Sequence, residues 1–156
     1  MIEISHVSKR YGIERVLYDV TLSVAENEVV SIIGHSGSGK STLLRCIAGL
    51  ESYESGIIKM NVRKKDGYEG IGMVFKENNL FPHLTVLQNL MLAPVEVLGM
   101  QKEQAREMAE EILDNVGIWN KKEEYPHALS SGQAQRAAIA RSLMMKPDVL
   151  LLDEPT

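Results

Sequence analysis

Apolar and polar residues alternate at Val20, Thr21, Leu22, Ser23 and Val24, the period of a strand with one wet face. Just beyond, residues 28–34 (EVVSIIG) form a mostly apolar, β-branched run stopped by glycine, which predicts a strand covered on both faces. Residues 41–49 (STLLRCIAG) put Leu43, Leu44 and Ile47 on one helical face, with Gly49 as the stop. GIIKMNV (56–62) and GIGMVF (70–75) predict two further strands around a turn-like RKKDG (63–67). From Lys102, apolar Ala105, Met108, Ala109, Ile112, Leu113 and Val116 advance by 3, 1, 3, 1 and 3, an amphipathic helix ended at Gly117. SGQAQRAAIARSLMM (131–145) predicts another helix closed before Pro147, and VLLL (149–152) a last buried strand. Strands alternating with helices predict an α/β fold with a largely parallel core sheet.

Composition narrows the function classes. At 156 residues the chain is one domain by size, and 24% charged with 44% hydrophobic residues is ordinary for a globular protein. Against 17 Lys+Arg stand 21 Asp+Glu, a net charge of −4, so the basic excess of a nucleic-acid binder is missing. The single cysteine, Cys46, excludes an internal disulfide and reads as a small core residue. No apolar run follows the charges of MIEISHVSKRYG, so no secretory signal is expected. No window approaches the roughly 20 apolar residues that span a bilayer. Any membrane role is therefore expected to be peripheral.

The strongest chemical signal is GHSGSGKST, which fits G-x-x-x-x-G-K-[ST] at Gly34, Gly39, Lys40 and Ser41, between an apolar run and a helix. Gly37 and Gly39 let the backbone wrap with successive N–H groups inward, and the following helix adds its positive end. Lys40 supplies a point charge for β- and γ-phosphates, and the Ser41 hydroxyl can ligate Mg²⁺. A chance match to the four fixed positions is on the order of one in a hundred for a chain of this size. Asp153, just past the last strand, is suited to hold magnesium through its water shell. Glu154 beside it can polarise an attacking water. These residues alone leave kinase, GTPase and ATPase open, although guanine-reading patterns and a kinase acceptor site are not recognisable.

GHSGSGKST, LSSGQAQR (129–136) and LLLDEPT (150–156), in that order, resemble the nucleotide-binding subunit of an ABC transporter. ENNLFPHLTVLQNLMLAPVEVLGM and YPHALSSGQAQRAAIARSLMMKPDVLLLDEPT further resemble the subgroup that drives bacterial polar amino acid importers. The resemblance runs over essentially the whole chain. It implies a P-loop NTPase-type parallel core sheet, an N-terminal antiparallel β subdomain and a helical subdomain carrying the signature motif. The β-rich and Walker A part is expected at about 1–75, the helical part at about 76–145 and the Walker B strand at 149–154.

The resemblance also implies ATP and Mg²⁺ as ligands. ATP would be held by Tyr11 (stacked on adenine) and by Gly34, His35, Ser36, Gly37, Ser38, Gly39, Lys40, Ser41 and Thr42. Ser41 and Asp153 would hold the metal, and Glu154 and Lys40 would act in hydrolysis. Ser130, Ser131, Gly132 and Gln133 would face a partner's ATP. Partners would be a second ATP-binding subunit, identical or paired, a transmembrane permease and, indirectly, a solute-binding protein, at the cytoplasmic face of the membrane.

Two positions depart from the family pattern. Ser131 stands where the signature has glycine, which predicts closure weakened by about 1–2 kcal/mol if the position needs a strained φ. Lys76 stands where a glutamine carbonyl helps hold Mg²⁺; lysine has three donors and no acceptor, so it cannot ligate the metal and is available to pair with the γ-phosphate instead. The family also carries a dimer-contacting loop, a further strand and a histidine-bearing loop after the Walker B strand. Their absence from the sequence predicts a C-terminally truncated chain that hydrolyses ATP poorly. Two rival classes fit the same motifs: an ATP-binding module with little turnover, and a soluble non-transport ABC ATPase acting on DNA or ribosomes. The acidic balance and the absence of heptads argue against the second. His6, His83 and His127 lack ligand spacing and are expected in surface or packing roles.

Overall fold

The structure, a computed structural model, describes residues 1–62 and 70–155, and its contacts divide the chain into two units, Met1–Val62 and Arg63–Thr156. In the first unit β1 (Ile2–Tyr11) is the middle strand of an antiparallel sheet, flanked by β2 (Glu14–Val24) and β3 (Ser55–Met60). The alternation in the sequence sets its buried face: Ile2, Ile4, Val7 and Leu17 are buried, and Val20, Leu22 and Val24 are half-buried between exposed Thr21 and Ser23. The β1–β2 register shifts between Ile4 and Val7. There His6 and Asp19 both take positive φ and their side chains meet at 2.9 Å. Helix α1 (Lys40–Ile47) buries Leu43, Cys46 and Ile47.

The run at 28–34 corrects the sequence reading. It belongs to neither sheet, and Val29 and Ile33 are 93% and 94% exposed. A strand forms where its backbone finds a ladder partner and its side chains a pleated surface; β-branched composition alone supplies neither. Among the described residues no strand pairs with this segment.

In the second unit β4 (Ile71–Val74) and β5 (Val149–Leu152) pair in parallel, with Ile71 opposite Val149 and Val74 opposite Leu152. The parallel sheet foreseen is thus two strands wide among the described residues, and the turn expected at 63–67 lies outside them. Three helices, α2 (Val86–Glu96), α3 (Lys102–Asn115) and α4 (Ser131–Leu143), enclose a core of Val86, Leu87, Leu90, Ala109, Leu113, Ile118, Ala137, Ala140 and Met144. Buried alanines at 109, 137 and 140 let the helix backbones approach, and Leu90, Leu113 and Ile118 fill the space between. The fold class is α/β, as the sequence implied. Helix α2 was not foreseen. Thr85 caps it through a reciprocal box, its side chain accepting from the Gln88 amide and Gln88 accepting from the Thr85 amide.

Leu113 is fully buried, and Trp119, the chain's one tryptophan, packs against the same cluster. Leu113→Ala is expected to cost about 2–5 kcal/mol, read as an earlier urea midpoint of Trp119 emission; Ile57→Ala in exposed β3 should leave that midpoint in place.

Candidate functional site

In the first unit the motif folds into a loop closed on itself. The Ser38 amide donates to the His35 carbonyl at 3.2 Å, and Lys40 Nζ donates to the carbonyls of Gly34 (2.9 Å) and His35 (2.8 Å). Gly37 and Gly39 sit at φ 80 and 90, the left-handed region that favours glycine. Gly39 has a second constraint: a Cβ there would lie 2.8 Å from the Val16 carbonyl oxygen and 3.0 Å from Leu17 Cδ2. It is also the N-cap of α1, and no side chain caps that end. The first amides of an α-helix have no acceptor within the helix, so the loop presents donors and the positive helix end to anything anionic. Gly34, His35, Ser36, Gly37 and Ser38 are exposed around it, and Ser41 and Thr42 are half-buried in the first turn of α1.

Tyr11 ends β1 and is 45% exposed. Its ring lies 5.0 Å from the Lys9 ammonium, and its hydroxyl bonds to the side chains of Glu51 and Thr42. Lys9 in turn meets Glu51 at 3.4 Å. Burial, then the Glu51 hydrogen bond, holds the Tyr11 phenol above its ordinary value, while the bond from Tyr11 holds Glu51 below the usual carboxylate range. Thr42 thus links the aromatic ring to the first turn of α1. Glu51 was not singled out in the sequence, and only its position after α1 could have suggested it.

In the second unit Asp153 is buried at the end of β5, and its amide donates to the Val74 carbonyl at 3.0 Å. Glu154 follows with φ 48, and its Oε2 lies 2.6 Å from Lys76 Nζ. The hydrogen bond to Glu154, then that carboxylate's charge, raises Lys76 above the ordinary lysine range. Lys76 therefore pairs with a carboxylate of its own chain, a contact the sequence reading did not foresee. The loop that carries it is tied down from two helices. Arg141 donates to the carbonyls of Asn79 (2.7 Å) and Asn78 (3.4 Å). Buried Asn89 accepts from the Phe81 amide at 2.8 Å and donates to the carbonyls of Phe81, Leu84 and Thr85.

The signature residues open α4. Ser130 is its N-cap in a second reciprocal box, accepting from the Gln133 amide at 3.3 Å while Gln133 Oε1 accepts from the Ser130 amide at 2.9 Å. Ser131 is the first helical residue and is exposed; it is not among the residues at positive φ. The strain on which the expected closure penalty depended is thus absent. Gly132 faces open space. Tyr11, Gly34, His35, Lys40 and Thr42 lie in the first unit and Lys76, Asp153 and Glu154 in the second, and each group is described by itself.

The family model described as ABC transporter matches residues 17–156. The glutamine transport ATP-binding protein of Bacillus subtilis (strain 168) is 53% identical, with 100% of this chain and 68% of that protein aligned. The arginine transport ATP-binding protein of the same organism is 48% identical at the same coverage. Among solved structures, a dimeric bacterial ABC transporter cassette superposes with a TM-score of 0.88 at 35% identity, covering 100% of this chain and 75% of that one. The same cassette in a post-hydrolysis state bound to ADP and Pi gives 0.86 at 34% identity, at the same coverage. The chain belongs to the ABC transporter family, and its fold is that of the family's ATP-binding cassette.

Ser130→Ala is expected to destabilise the second unit by about 1 kcal/mol through the lost cap, whereas Ser131→Ala should stay within about 0.5 kcal/mol. Urea midpoints followed at Trp119 separate the two.

Proposed function

We propose that this chain is the ATP-binding and ATP-hydrolysing subunit of a membrane ABC transporter that imports a polar amino acid. One observation carries the nucleotide site: two left-handed glycines deliver the backbone to an uncapped helix start, with Lys40 Nζ bent over the same loop. The loop amides and Lys40 receive the triphosphate, and Tyr11 offers a half-exposed ring to the base. The Ser41 hydroxyl in the first unit and the Asp153 carboxylate in the second are each oxygen donors of the kind Mg²⁺ prefers, and these two would hold the metal. The metal would supply charge neutralisation to the phosphates. Glu154 accepts a proton from the attacking water, and Lys40 stabilises the charge on the transferred phosphoryl group.

Names of the relatives support the solute class, since two of them are glutamine and arginine transport proteins. A dimeric neighbour supports work in pairs, with Ser130, Ser131, Gly132 and Gln133 of one copy turned to the nucleotide of the other. Among the described residues no helix is long and apolar enough to cross a membrane. On this reading, and from the transport names of the relatives, the chain works at the cytoplasmic face beside a transmembrane permease, served indirectly by a solute-binding protein. For the domain parts, the proposal keeps one ABC-type domain with a β-rich and phosphate-loop part at about 1–75, a helical part at about 76–145 and the Walker B strand at 149–154.

Calorimetric titration with Mg-ATP is expected to give a saturable heat that Lys40→Ala reduces at least about tenfold in affinity. At 100 times the dissociation constant the nucleotide should add about 2.7 kcal/mol of stability. No heat from folded protein, or equal affinity in Lys40→Ala, sinks the reading.

A further inference from the structure

Lys9 and Tyr11 stand two residues apart at the end of β1 and so share a face of the strand. The Lys9 ammonium lies over the Tyr11 ring, 5.0 Å from its centroid, and meets the Glu51 carboxylate at 3.4 Å. Glu51, past the end of α1, and Thr42, in its first turn, both hydrogen-bond the Tyr11 hydroxyl. A phenol has one proton to give and a carboxylate only accepts, so Tyr11 donates to Glu51 and Thr42 donates to Tyr11. The cluster is shielded on its ionic side: the Lys9 side chain is 11% exposed and that of Glu51 19%. A carboxylate so far out of water needs a counter-charge, which Lys9 provides. As a charged acceptor it also holds the phenol more firmly than a neutral one would.

We propose that Glu51 is a positioning residue for nucleotide binding: with Lys9 and Thr42 it fixes the Tyr11 ring beside the phosphate loop, so that the base meets a surface already in place. This rests on the reading of Tyr11 as the ring that takes the base, and adds the group that holds that ring. A tyrosine at a strand end has two torsions to order, and freedom kept in the free protein is lost on binding. Here the hydroxyl is tethered to the first turn of α1, the same turn whose free amides face an anion, and Glu51 closes the tether from the other side. Lys9 takes one face of the ring and the base takes the other. The triphosphate is held by the loop amides and Lys40, so the effect of Glu51 belongs to the base end of the ligand alone.

The test is calorimetric and compares two probes on the full chain: Mg-ATP, and inorganic triphosphate with Mg²⁺, which keeps the phosphate contacts and has no base. Glu51→Ala should weaken Mg-ATP about three- to tenfold and leave inorganic triphosphate within about twofold. Glu51→Gln, which keeps an acceptor for the phenol, should recover most of the loss. Tyr11→Phe, which keeps the ring and deletes the hydroxyl, should lose about as much as Glu51→Ala, and the double variant no more than either alone. Glu54→Gln, in the exposed pair with Arg10, is the control and should bind both probes as the parent does. Should Glu51→Ala not fold, Glu51→Asp, which keeps the charge and shortens the reach, takes its place in the same comparison. Equal weakening for both probes makes the cluster a support of the loop and overturns the proposal, as does parent affinity for Mg-ATP in the Glu51 and Tyr11→Phe variants; either result leaves the nucleotide site standing. No Mg-ATP heat from the folded parent overturns both.

Discussion

A helix that begins on a residue without a side chain cannot cap itself. At Gly39 this is enforced from outside, because the Val16 carbonyl and the Leu17 side chain leave no room for a Cβ. Strand β2 thereby fixes where α1 starts, and the rest of the first unit's chemistry follows from that point. Lys40 becomes the first helical residue, close enough for its ammonium to return to the carbonyls of Gly34 and His35. Thr42 lies one turn in, where it meets the Tyr11 hydroxyl. Steric exclusion at one backbone position thus orders both an anion-binding loop and the aromatic ring beside it.

Lys40 in the first unit and Glu154 in the second each rest in a contact within their own unit. Lys40 is satisfied by loop carbonyls, and Glu154 by Lys76. Neutral carbonyls bind an ammonium less tightly than phosphate oxygens do, so the contacts of Lys40 hold it only loosely against an anion. Resting contacts of this kind keep charged groups hydrogen-bonded within each unit. The loop holding Lys76 is nevertheless firm, anchored by Arg141 and by the four bonds of buried Asn89.

Legibility in the sequence followed the range of the interactions. Helices α1, α3 and α4 and strand β5 stood out because their periods are local, and each appears within a residue or two of its expected bounds, whereas of β2 only the closing stretch, residues 20–24, was legible. The conformation of the loop at 34–42 was readable because it depends on glycines at fixed spacing before a helix start. Residues 28–34 misled because composition cannot report whether a ladder partner exists. Helix α2 was missed because Val86, Leu87, Leu90, Met91 and Leu92 make it apolar over much of its circumference, and its signal sits in the Thr85–Gln88 cap. The Ser131 strain depended on a dihedral angle, and the Lys76–Glu154 pair on the register between two strands far apart in sequence. Sequence patterns carry neither quantity.

The exposed run at 29–33 has a material consequence. Val29, Val30, Ser31, Ile32 and Ile33 include no charge, no proline and no glycine, and the end valine and isoleucine are almost fully solvated. Such a segment is the composition that stacks into cross-β fibrils, with copies adding edge to edge along the backbone. Concentrated solutions of this chain are therefore exposed to self-templated precipitation seeded at that one stretch, and a lysine or proline introduced there acts as a gatekeeper against it.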